Sequence, residues 1–599
     1  MLRIASLVLA CLLIAANAGA AHLPLHDEPA KPATERGLRN LEAFARVVGY
    51  IRHYHPSDEA AKLDWDRFTI DAVGAIEPAA SAEELAAALR KAFAPIAPAA
   101  HFQTKPFDKP FEASSMLAAS DKPTGAIRWK HRGYGGDPNV KKDHPIYTSE
   151  RITAPPSDTP KGLPTIGDSI TRELPIGPGD SLWIRIPIVL YTDADGTLPH
   201  PTTSFAPPEA DTPSGDDRST RLAAVILGWN IPQHFFPYFD AIKDDWDAAL
   251  HEALASAATD ADAAAFYRTL ERLITHLHDG HGHVISRAQP TTYSLPILLV
   301  FVGDDPVVLR PIGDSAGKSV HPGDTLVSIG GTAVAQLIGE ARAHEPAATE
   351  GYFHHRAAHR IALRPSTDPV DVVLRAPNKD TRTVSLTPIP AQQVPPERGG
   401  PVITEPRPGI WYIDLDRAND KDLAAAMPHL AEAKGLVLDM RGYPNAFSMG
   451  FLGHFTEEPI QCAKWEVPLA NLPDREHLDF DHARWDLPPL GPPITARTAF
   501  ITDGRAISAA ETFMGMVEAY KLADIVGEPT AGTNGNVNQV VLPGGYSFTF
   551  TGMKVLKHDD SRHHGVGIIP NIPAHRTIAG IAAGKDELLD KALETVSKQ

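Results

Sequence analysis

Residues 499–513 read AFITDGRAISAAETF, and this stretch decides the fold of the C-terminal part of the chain. It predicts a strand, a turn at Asp503 and Gly504, and a helix that opens at Ser508. A serine at a helix N-terminus lies beside backbone amides without intrahelical partners and at the positive end of the helix dipole. These groups stabilise the oxyanion that forms when a hydroxyl attacks a carbonyl. The alternative is an ordinary N-cap serine.

Upstream of this stretch the pattern is strand, helix, strand. Residues 409–415 and 435–442 are short apolar runs, and a helix is predicted between them, around residues 423–434. Continuous apolar strands separated by helices are typical of a parallel sheet that is covered on both faces. We therefore predict an α/β domain over residues 393–599.

Four motifs of this domain are shared with a known family. In order, they are Asp439-Met440-Arg441-Gly442-Tyr443, Ser508-Ala509-Ala510-Glu511, Gly527-Glu528-Pro529-Thr530-Ala531-Gly532 and Gly565-Val566-Gly567-Ile568-Ile569-Pro570-Asn571. In these motifs the chain resembles the C-terminal processing peptidases, also called tail-specific proteases, including their tricorn-like branch. The resemblance extends over roughly residues 219–575 and implies a serine-type peptidase.

The resemblance also implies roles for individual residues of the second motif. Ser508 matches the nucleophile of the family, and the amides of Gly442 and Ala509 match its oxyanion hole. Glu511, one helical turn beyond Ser508, is expected to support the catalytic site.

The catalytic base is a histidine if the chain follows the tricorn-like branch. The other branch of the family has a lysine directly after the Thr-x-Gly motif, where this chain has Thr533. The tricorn-like branch places a histidine ahead of its PDZ region, and His281 matches that position. Imidazole has a suitable pKa to accept a serine proton near neutrality and to return it to the leaving group.

Three departures from the family concern the catalytic site. The tricorn-like branch has a serine beside its histidine, where this chain has Gly280, and Tyr443 replaces the usual asparagine after the Arg-Gly motif. The branch also has a glutamate late in the domain, for which residues 558–564 offer Asp559 or Asp560. The sequence does not choose between them, and Asp560 is carried as the candidate that orients His281.

A metal site is an alternative for the histidine-rich segment. Five potential ligands follow one another closely there: His276, His278, Asp279, His281 and His283. Alternate positions on one strand would be able to converge on zinc, but no second cluster of ligands is evident. The resemblance explains His281 without a metal, so we predict no metal and no cofactor.

Residues 320–334 resemble part of a PDZ domain. They contain a Pro-Gly-Asp turn at Pro322, an alternating strand and a Gly-Gly hairpin at Gly330. A PDZ domain binds an extended peptide as an added strand, usually through the peptide's C-terminus. We predict a PDZ-like domain over residues 293–392, although any small β barrel with such a hairpin would fit the same pattern.

The N-terminal half contains an internal repeat at an offset of 181 residues. Asp64-Trp65-Asp66 recurs as Asp245-Trp246-Asp247, and an apolar helical stripe follows in both copies. These copies predict two helical domains, over residues 22–102 and 219–292, the second of which carries His281. Residues 103–218 are rich in Pro, Gly, Asp and Thr with short alternating runs, which predicts a β-rich domain of unknown role.

The N-terminus and the overall charge restrict location and partners. An apolar run that ends in small residues predicts a secretory signal over residues 1–20, with an uncleaved anchor as the alternative. With 56 basic and 74 acidic residues the net charge is -18, which disfavours nucleic acid as a partner. We therefore expect a secreted or periplasmic protein with no membrane span after signal cleavage.

The predicted fold is thus multidomain α+β, and the predicted function is that of an exported serine-type peptidase. Its substrates are expected to be peptides, unfolded proteins or C-terminal segments presented by the PDZ-like domain. One alternative is a non-catalytic protein that binds a peptide or an apolar ligand on the same fold. The other is an esterase or amidase that acts on small substrates.

Overall fold

The structure is a computed structural model that describes residues 28–119, 122–136, 146–158, 161–205, 212–286, 292–313, 316, 318–444 and 447–598. The predicted signal, residues 1–20, lies outside the described residues. Among the described helices, none is long and apolar enough to cross a membrane. The predicted mixture of helices and sheets is confirmed.

Helices from both segments of the predicted repeat pack around one shared core. They are Glu35–Tyr54, Asp58–Lys62, Trp65–Ile76 and Ala82–Phe93 from the first segment, and Arg218–Phe235, Trp246–Thr259 and Ala263–Thr275 from the second. Asp64 and Asp245 begin equivalent helices, because each carboxylate accepts a hydrogen bond from a backbone amide of the first turn. The first aspartate of each Asp-Trp-Asp motif is thus the N-cap of a helix.

Two three-stranded antiparallel sheets lie between these groups of helices in the chain. The first contains His101–Gln103, Asp180–Pro187 and Ser169–Gly177, and the second contains Thr148–Ala154, Gly125–Arg132 and Val189–Thr192. The first sheet contributes alternate apolar side chains, such as Leu182 and Ile184, to the core of the helices.

Residues 292–390 form a compact sheet with two helices. The sheet order is Thr381–Leu386, Val370–Arg375, Thr325–Ile329, Asp305–Pro311 and Ile297–Val302, with Thr332–Ala333 beside Thr325–Ile329. The helices are Val334–Arg342 and Glu350–Arg360. A separate small sheet joins Leu363–Arg364, Tyr293–Ser294 and Ile389–Pro390.

A six-stranded sheet forms the centre of the C-terminal part. In spatial order its strands are Ile403–Arg407, Ile410–Asp414, Gly435–Asp439, Arg497–Thr502, Asp524–Gly527 and Ile572–Pro573. Every neighbouring pair is parallel except the first. The helices Asp420–Ala431 and Ala509–Tyr520 pack into one core cluster and Glu587–Ser597 into another. Because both faces are covered, the inner strands are predominantly apolar.

Small elements complete the C-terminal part. Lys464–Leu469 pairs with Asp479–Ala483 and Lys554–Leu556, and Ile460–Gln461 pairs with Asp486–Leu487. Short 3₁₀ helices span Met449–Phe455 and Pro473–Arg475, and a short α-helix spans Ile578–Ala582.

A buried cluster of histidine and aromatic rings joins the N-terminal helices to the first β strands. The ring of His234 lies 5.1 Å from Tyr54 and 5.9 Å from His53, centre to centre, and His131 lies 5.5 Å from Tyr54. The amide of Asp474, from the C-terminal part, donates to Nδ1 of His234. Burial lowers the pKa of these histidines, to about 4 for His131 and His234.

Candidate active site

Ser508 occupies a strained turn between a central strand and a helix. The strand Arg497–Thr502 leads into the turn, and the helix Ala509–Tyr520 leaves it. Ser508 has φ 58° and ψ -112°, whereas Ser81, an ordinary N-cap, has φ -143° and ψ 167°. A positive φ costs a non-glycine residue about 1–3 kcal/mol, and such strain is concentrated at functional sites. The backbone at Ser508 therefore differs from that of a simple helix cap.

Glu511 holds this turn in place from within the protein. Its buried carboxylate accepts hydrogen bonds from the amide of Ser508 (3.3 Å) and from two amides of the following loop, Gly532 (2.7 Å) and Thr533 (2.8 Å). The hydroxyl of Thr530 also donates to it, at 2.5 Å. Burial alone would raise the pKa of Glu511, but neighbouring His563 and these donors lower it. Glu511 is therefore an ionised support of the turn.

Strand pairing brings His281 to the C-terminal part of the chain. The strand His283–Ser286 pairs antiparallel with Tyr546–Thr551, which in turn pairs with Val537–Leu542. His283 lies opposite Thr549, so the same register places His281 beside Thr551. The hydroxyl of Thr549 donates to the carbonyl of His281 at 2.6 Å.

Thr551 and Asp279 fix the tautomer of His281. The Thr551 hydroxyl lies 2.8 Å from Nδ1 of His281 and donates to Oδ1 of the fully buried Asp279 at 2.7 Å. Because an ionised carboxylate only accepts, the single hydroxyl proton goes to Asp279, and Thr551 accepts from Nδ1–H. Nε2 of His281 is then unprotonated. Desolvation lowers the pKa of His281, although the charges of Asp279 and Glu511 oppose this shift. The lowered pKa favours the neutral ring.

The loop residue Thr533 brings the histidine segment and the serine turn together. Its carbonyl accepts from the amide of Ser508 at 2.9 Å, and its hydroxyl accepts from the amide of Gly280 at 3.1 Å. A methyl group added to Gly280 would lie 2.8 Å from Oγ1 of Thr533 and 3.1 Å from Cδ1 of Ile507. Glycine is therefore needed beside His281, and the residues that flank Ser508 and His281 are in direct contact.

The two predicted oxyanion-hole amides differ in their availability. Ala509 is the first residue of its helix, so its amide has no intrahelical acceptor. The amide of Gly442 donates to the carbonyl of Met440 at 2.9 Å. Gly442 has φ 153°, and a methyl group there would lie 2.5 Å from the carboxyl carbon of Asp416. The turn requires glycine, but its amide is already bonded.

Tyr443 is anchored through its backbone, because its amide donates to Oδ1 of Asp416 at 3.1 Å. Burial raises the pKa of its phenol, and the side chain of Ser508 opposes this shift. The preceding Arg441 is held by two carboxylates, those of Asp439 and Asp586, at 2.6 and 2.7 Å. The Arg-Gly-Tyr turn is therefore anchored on both sides of Gly442.

The structure does not bring Asp560 to His281. Asp560 is exposed on a surface turn, where its carboxylate lies 3.4 Å from Nζ of Lys464. Asp559 is likewise exposed, and its carboxylate accepts from the amide and hydroxyl of Ser561. Instead, Asp279 contacts His281 through the hydroxyl of Thr551. The sequence contained this signal, because Asp279 lies two residues before His281, but the bridging Thr551 is 270 residues away from His281.

The other histidines of the segment point to different partners. His276 and His278 both face Asp244, at 2.9 and 3.0 Å, whereas His283 lies 3.1 Å from a nitrogen of Arg356. The five residues considered as zinc ligands therefore do not converge. Among the described residues, the group close enough to hold an ion is a different one on the surface: Asp193, Asp195 and His200.

Comparison with known proteins identifies the class of this site. Residues 474–574 match the model of peptidase family S41. The fold is similar to that of mature CPAF complexed with lactacystin, at 14% identity and a TM-score of 0.52, and to mature CPAF alone, at 15% and 0.52. Each match covers 63% of this chain and 98% of that chain. The photosystem II D1 C-terminal processing protease matches at 17% identity and a TM-score of 0.37, over 61% and 98%.

The predicted resemblance to the C-terminal processing peptidases is confirmed. The family match includes Ser508 and Glu511, and the likeness to CPAF establishes the shared fold. The chain is a serine-type peptidase whose match to family S41 covers residues 474–574, and peptides or proteins are the substrates that this family implies. No curated protein matches the sequence of the chain. The PDZ-like character of residues 293–392 and the two helical domains stay predictions.

Proposed function

We propose that the protein hydrolyses peptide bonds with Ser508 as nucleophile and His281 as general base. The observation that carries this proposal is that Thr533 contacts both the strained serine turn and the segment of His281, a histidine whose Nδ1 is bonded to a hydroxyl. Ser508 Oγ attacks the carbonyl carbon while its proton passes to Nε2 of His281, which returns it to the leaving amine. Water then hydrolyses the acyl-enzyme by the reverse sequence of proton transfers.

Three further residues hold these two groups in position. Thr551 and Asp279 keep Nε2 of His281 unprotonated and stabilise the imidazolium that forms during attack. Glu511 keeps the backbone of Ser508 in its strained conformation through the amides around it. Asp279, acting through Thr551, takes the place in this proposal that the sequence had suggested for Asp560.

The substrate and location proposed are those of an exported peptidase. Residues 293–392 are proposed to be a PDZ-like domain that presents an unfolded or C-terminal peptide to Ser508. Support comes from contacts between this region and the site: the hydroxyl of Thr349 donates to the carbonyl of Ala531 at 3.1 Å, in the loop that holds Glu511. The predicted signal supports a secreted or periplasmic location.

Labelling with a serine-directed fluorophosphonate tests the proposal. The mature protein is expected to form one adduct on Ser508, located by mass spectrometry. The variants Ser508→Ala and His281→Ala are expected to lose the adduct and to slow labelling by at least about 100-fold, respectively. Ser561→Ala, which removes an exposed serine hydroxyl, serves as the control and is expected to label normally. A folded wild-type protein without an adduct would favour the non-catalytic binding protein.

A further inference from the structure

We propose that an open trough on the sheet beside His281 binds the substrate and selects peptides with apolar side chains at alternate positions. This inference rests on the proposed function of Ser508 and His281, to which it adds a substrate class. The sheet consists of the strands Val537–Leu542, Tyr546–Thr551 and His283–Ser286, with Tyr546–Thr551 in the middle.

Strand register gives the trough its shape. Directly paired residues of neighbouring strands point to the same face of a sheet. On the outer face of this sheet the middle strand carries small hydroxyl side chains, which form the floor of the trough, and the two flanking strands carry larger side chains, which form its walls. Three rows of neighbouring residues cross the trough: Val541, Ser547 and Ile285; Gln539, Thr549 and His283; Val537, Thr551 and His281.

The walls of the trough expose apolar side chains where an antiparallel sheet with one buried face normally has polar ones. Val541 is 68% exposed, and Val537 and Ile285 are each 47% exposed. Val541 is the most exposed large hydrophobic residue in the described part of the chain. The opposite face of the sheet is packed into the core through side chains such as Val540 and Phe548. The sheet therefore has a second apolar face, and such exposed faces mark binding sites.

The hydroxyls of the floor are already bonded within the protein. Ser547 accepts from the side-chain amide of Gln539 at 3.3 Å, and Thr549 donates to the carbonyl of His281 at 2.6 Å. The hydroxyl of Thr551 bonds Nδ1 of the same histidine. The apolar walls are therefore the part of the trough that distinguishes one ligand from another.

The occupant is the peptide substrate, because the trough ends at the proposed base. Val537 lies in the row of His281, and Val541 lies four residues further along the strand, or roughly 13 Å at about 3.3 Å per residue. An extended peptide of about four residues spans this length, and its side chains point to the same side at every second residue. A peptide that lies along the floor and reaches His281 therefore places alternate side chains against the walls.

The double variant Val537→Thr with Val541→Thr tests the trough, because threonine keeps the shape and the strand preference of valine and replaces one methyl group by a hydroxyl. We expect KM for unfolded fluorescent casein to rise by about 10-fold with kcat unchanged. Fluorophosphonate labelling of Ser508 is expected to keep its wild-type rate, because this small reagent does not extend along the trough. Casein cleavage sites, mapped by mass spectrometry, are expected to show apolar residues at alternate positions on one side of the cut, and this preference is expected to weaken in the double variant.

Two controls accompany this variant. The double variant Val537→Ile with Val541→Ile keeps the walls apolar and is expected to retain the wild-type KM and cleavage preference. Ile569→Thr introduces a hydroxyl at an exposed position on a different element, where the amide of Ile569 donates to Glu518 at 3.4 Å. It is expected to change neither quantity.

The possible outcomes separate the two proposals. An unchanged KM and cleavage preference in the threonine double variant would overturn the role of the trough and leave Ser508 as nucleophile. A lower melting temperature together with slower labelling would show a structural role for the valines and would also overturn it. A wild-type dimer that the double variant converts to a monomer in sedimentation velocity, with KM unchanged, would assign the trough to a second copy of the chain instead. Absence of any adduct on the folded wild-type protein would overturn both proposals.

Discussion

Replacement of Thr551 by valine removes the hydroxyl between His281 and Asp279 while keeping a β-branched side chain of the same shape. Asp279 retains its bonds to the amides of His281 (3.1 Å) and Thr551 (2.5 Å), so its charge stays satisfied. Nδ1–H of His281 is left without its acceptor, which costs about 1–3 kcal/mol for a buried donor. At about 1.4 kcal/mol for each factor of ten, kcat/KM should fall by roughly 5-fold to 150-fold.

The assay compares Thr551→Val with Thr549→Val on the same strand. Both variants lose a threonine hydroxyl bonded to His281, but Thr549 donates to the backbone carbonyl and Thr551 accepts from the ring. Fluorophosphonate labelling rates and casein turnover are measured together with melting temperatures. Only Thr551→Val is expected to lose activity beyond any loss of stability. Equal activity in the two variants would refute the assignment of Thr551 as the link that orients the base.

Two further predictions concern buried charge. Glu511→Gln turns a nitrogen toward amide donors, so we expect the unfolding free energy in urea melts to fall by at least about 3 kcal/mol and labelling to be lost. The control is Glu518→Gln on the same helix, which removes a partly exposed pair with Lys557 and should cost under about 1 kcal/mol. Equal costs in the two variants would contradict the role of Glu511. Four buried histidines have pKa values lowered by burial, and their stabilising contribution is therefore present above the unfolded pKa of about 6.5 and is lost as the pH falls toward about 4. The melting temperature should fall over this pH window, and it should fall less steeply in His131→Gln. A flat profile would show that these histidines are not buried in the neutral form. The four histidines are His53, His55, His131 and His234.

Local patterns were sufficient to predict the framework around Ser508. The strand, the turn and the helix over residues 499–513 lie where the sequence indicates, because each is determined by neighbouring residues. The helix predicted around residues 423–434 begins earlier, at Asp420, because the side chain of Asn419 caps its first turn. The parallel strands also follow from their continuous apolar runs.

Contacts between distant segments were beyond the reach of these patterns. The side chain that bridges Asp279 to His281 comes from a strand whose register is set by pairing across 268 to 272 residues. Asp560 matched the order of motifs in the family, but it lies in a turn that faces solvent. Likewise, the conformation of Gly442 depends on its packing against Asp416, which no local pattern records.

The wide separation of His281 and Ser508 along the chain has a consequence for biosynthesis. The base lies in a segment made early, but its orienting hydroxyl and the loop that joins it to the nucleophile, residues 530–551, are made much later. A nascent chain therefore contains His281 before the strand that orients it has been made. With Ser508 and His281 in the proposed roles, proteolytic competence arises only once the late strand has docked beside the early one.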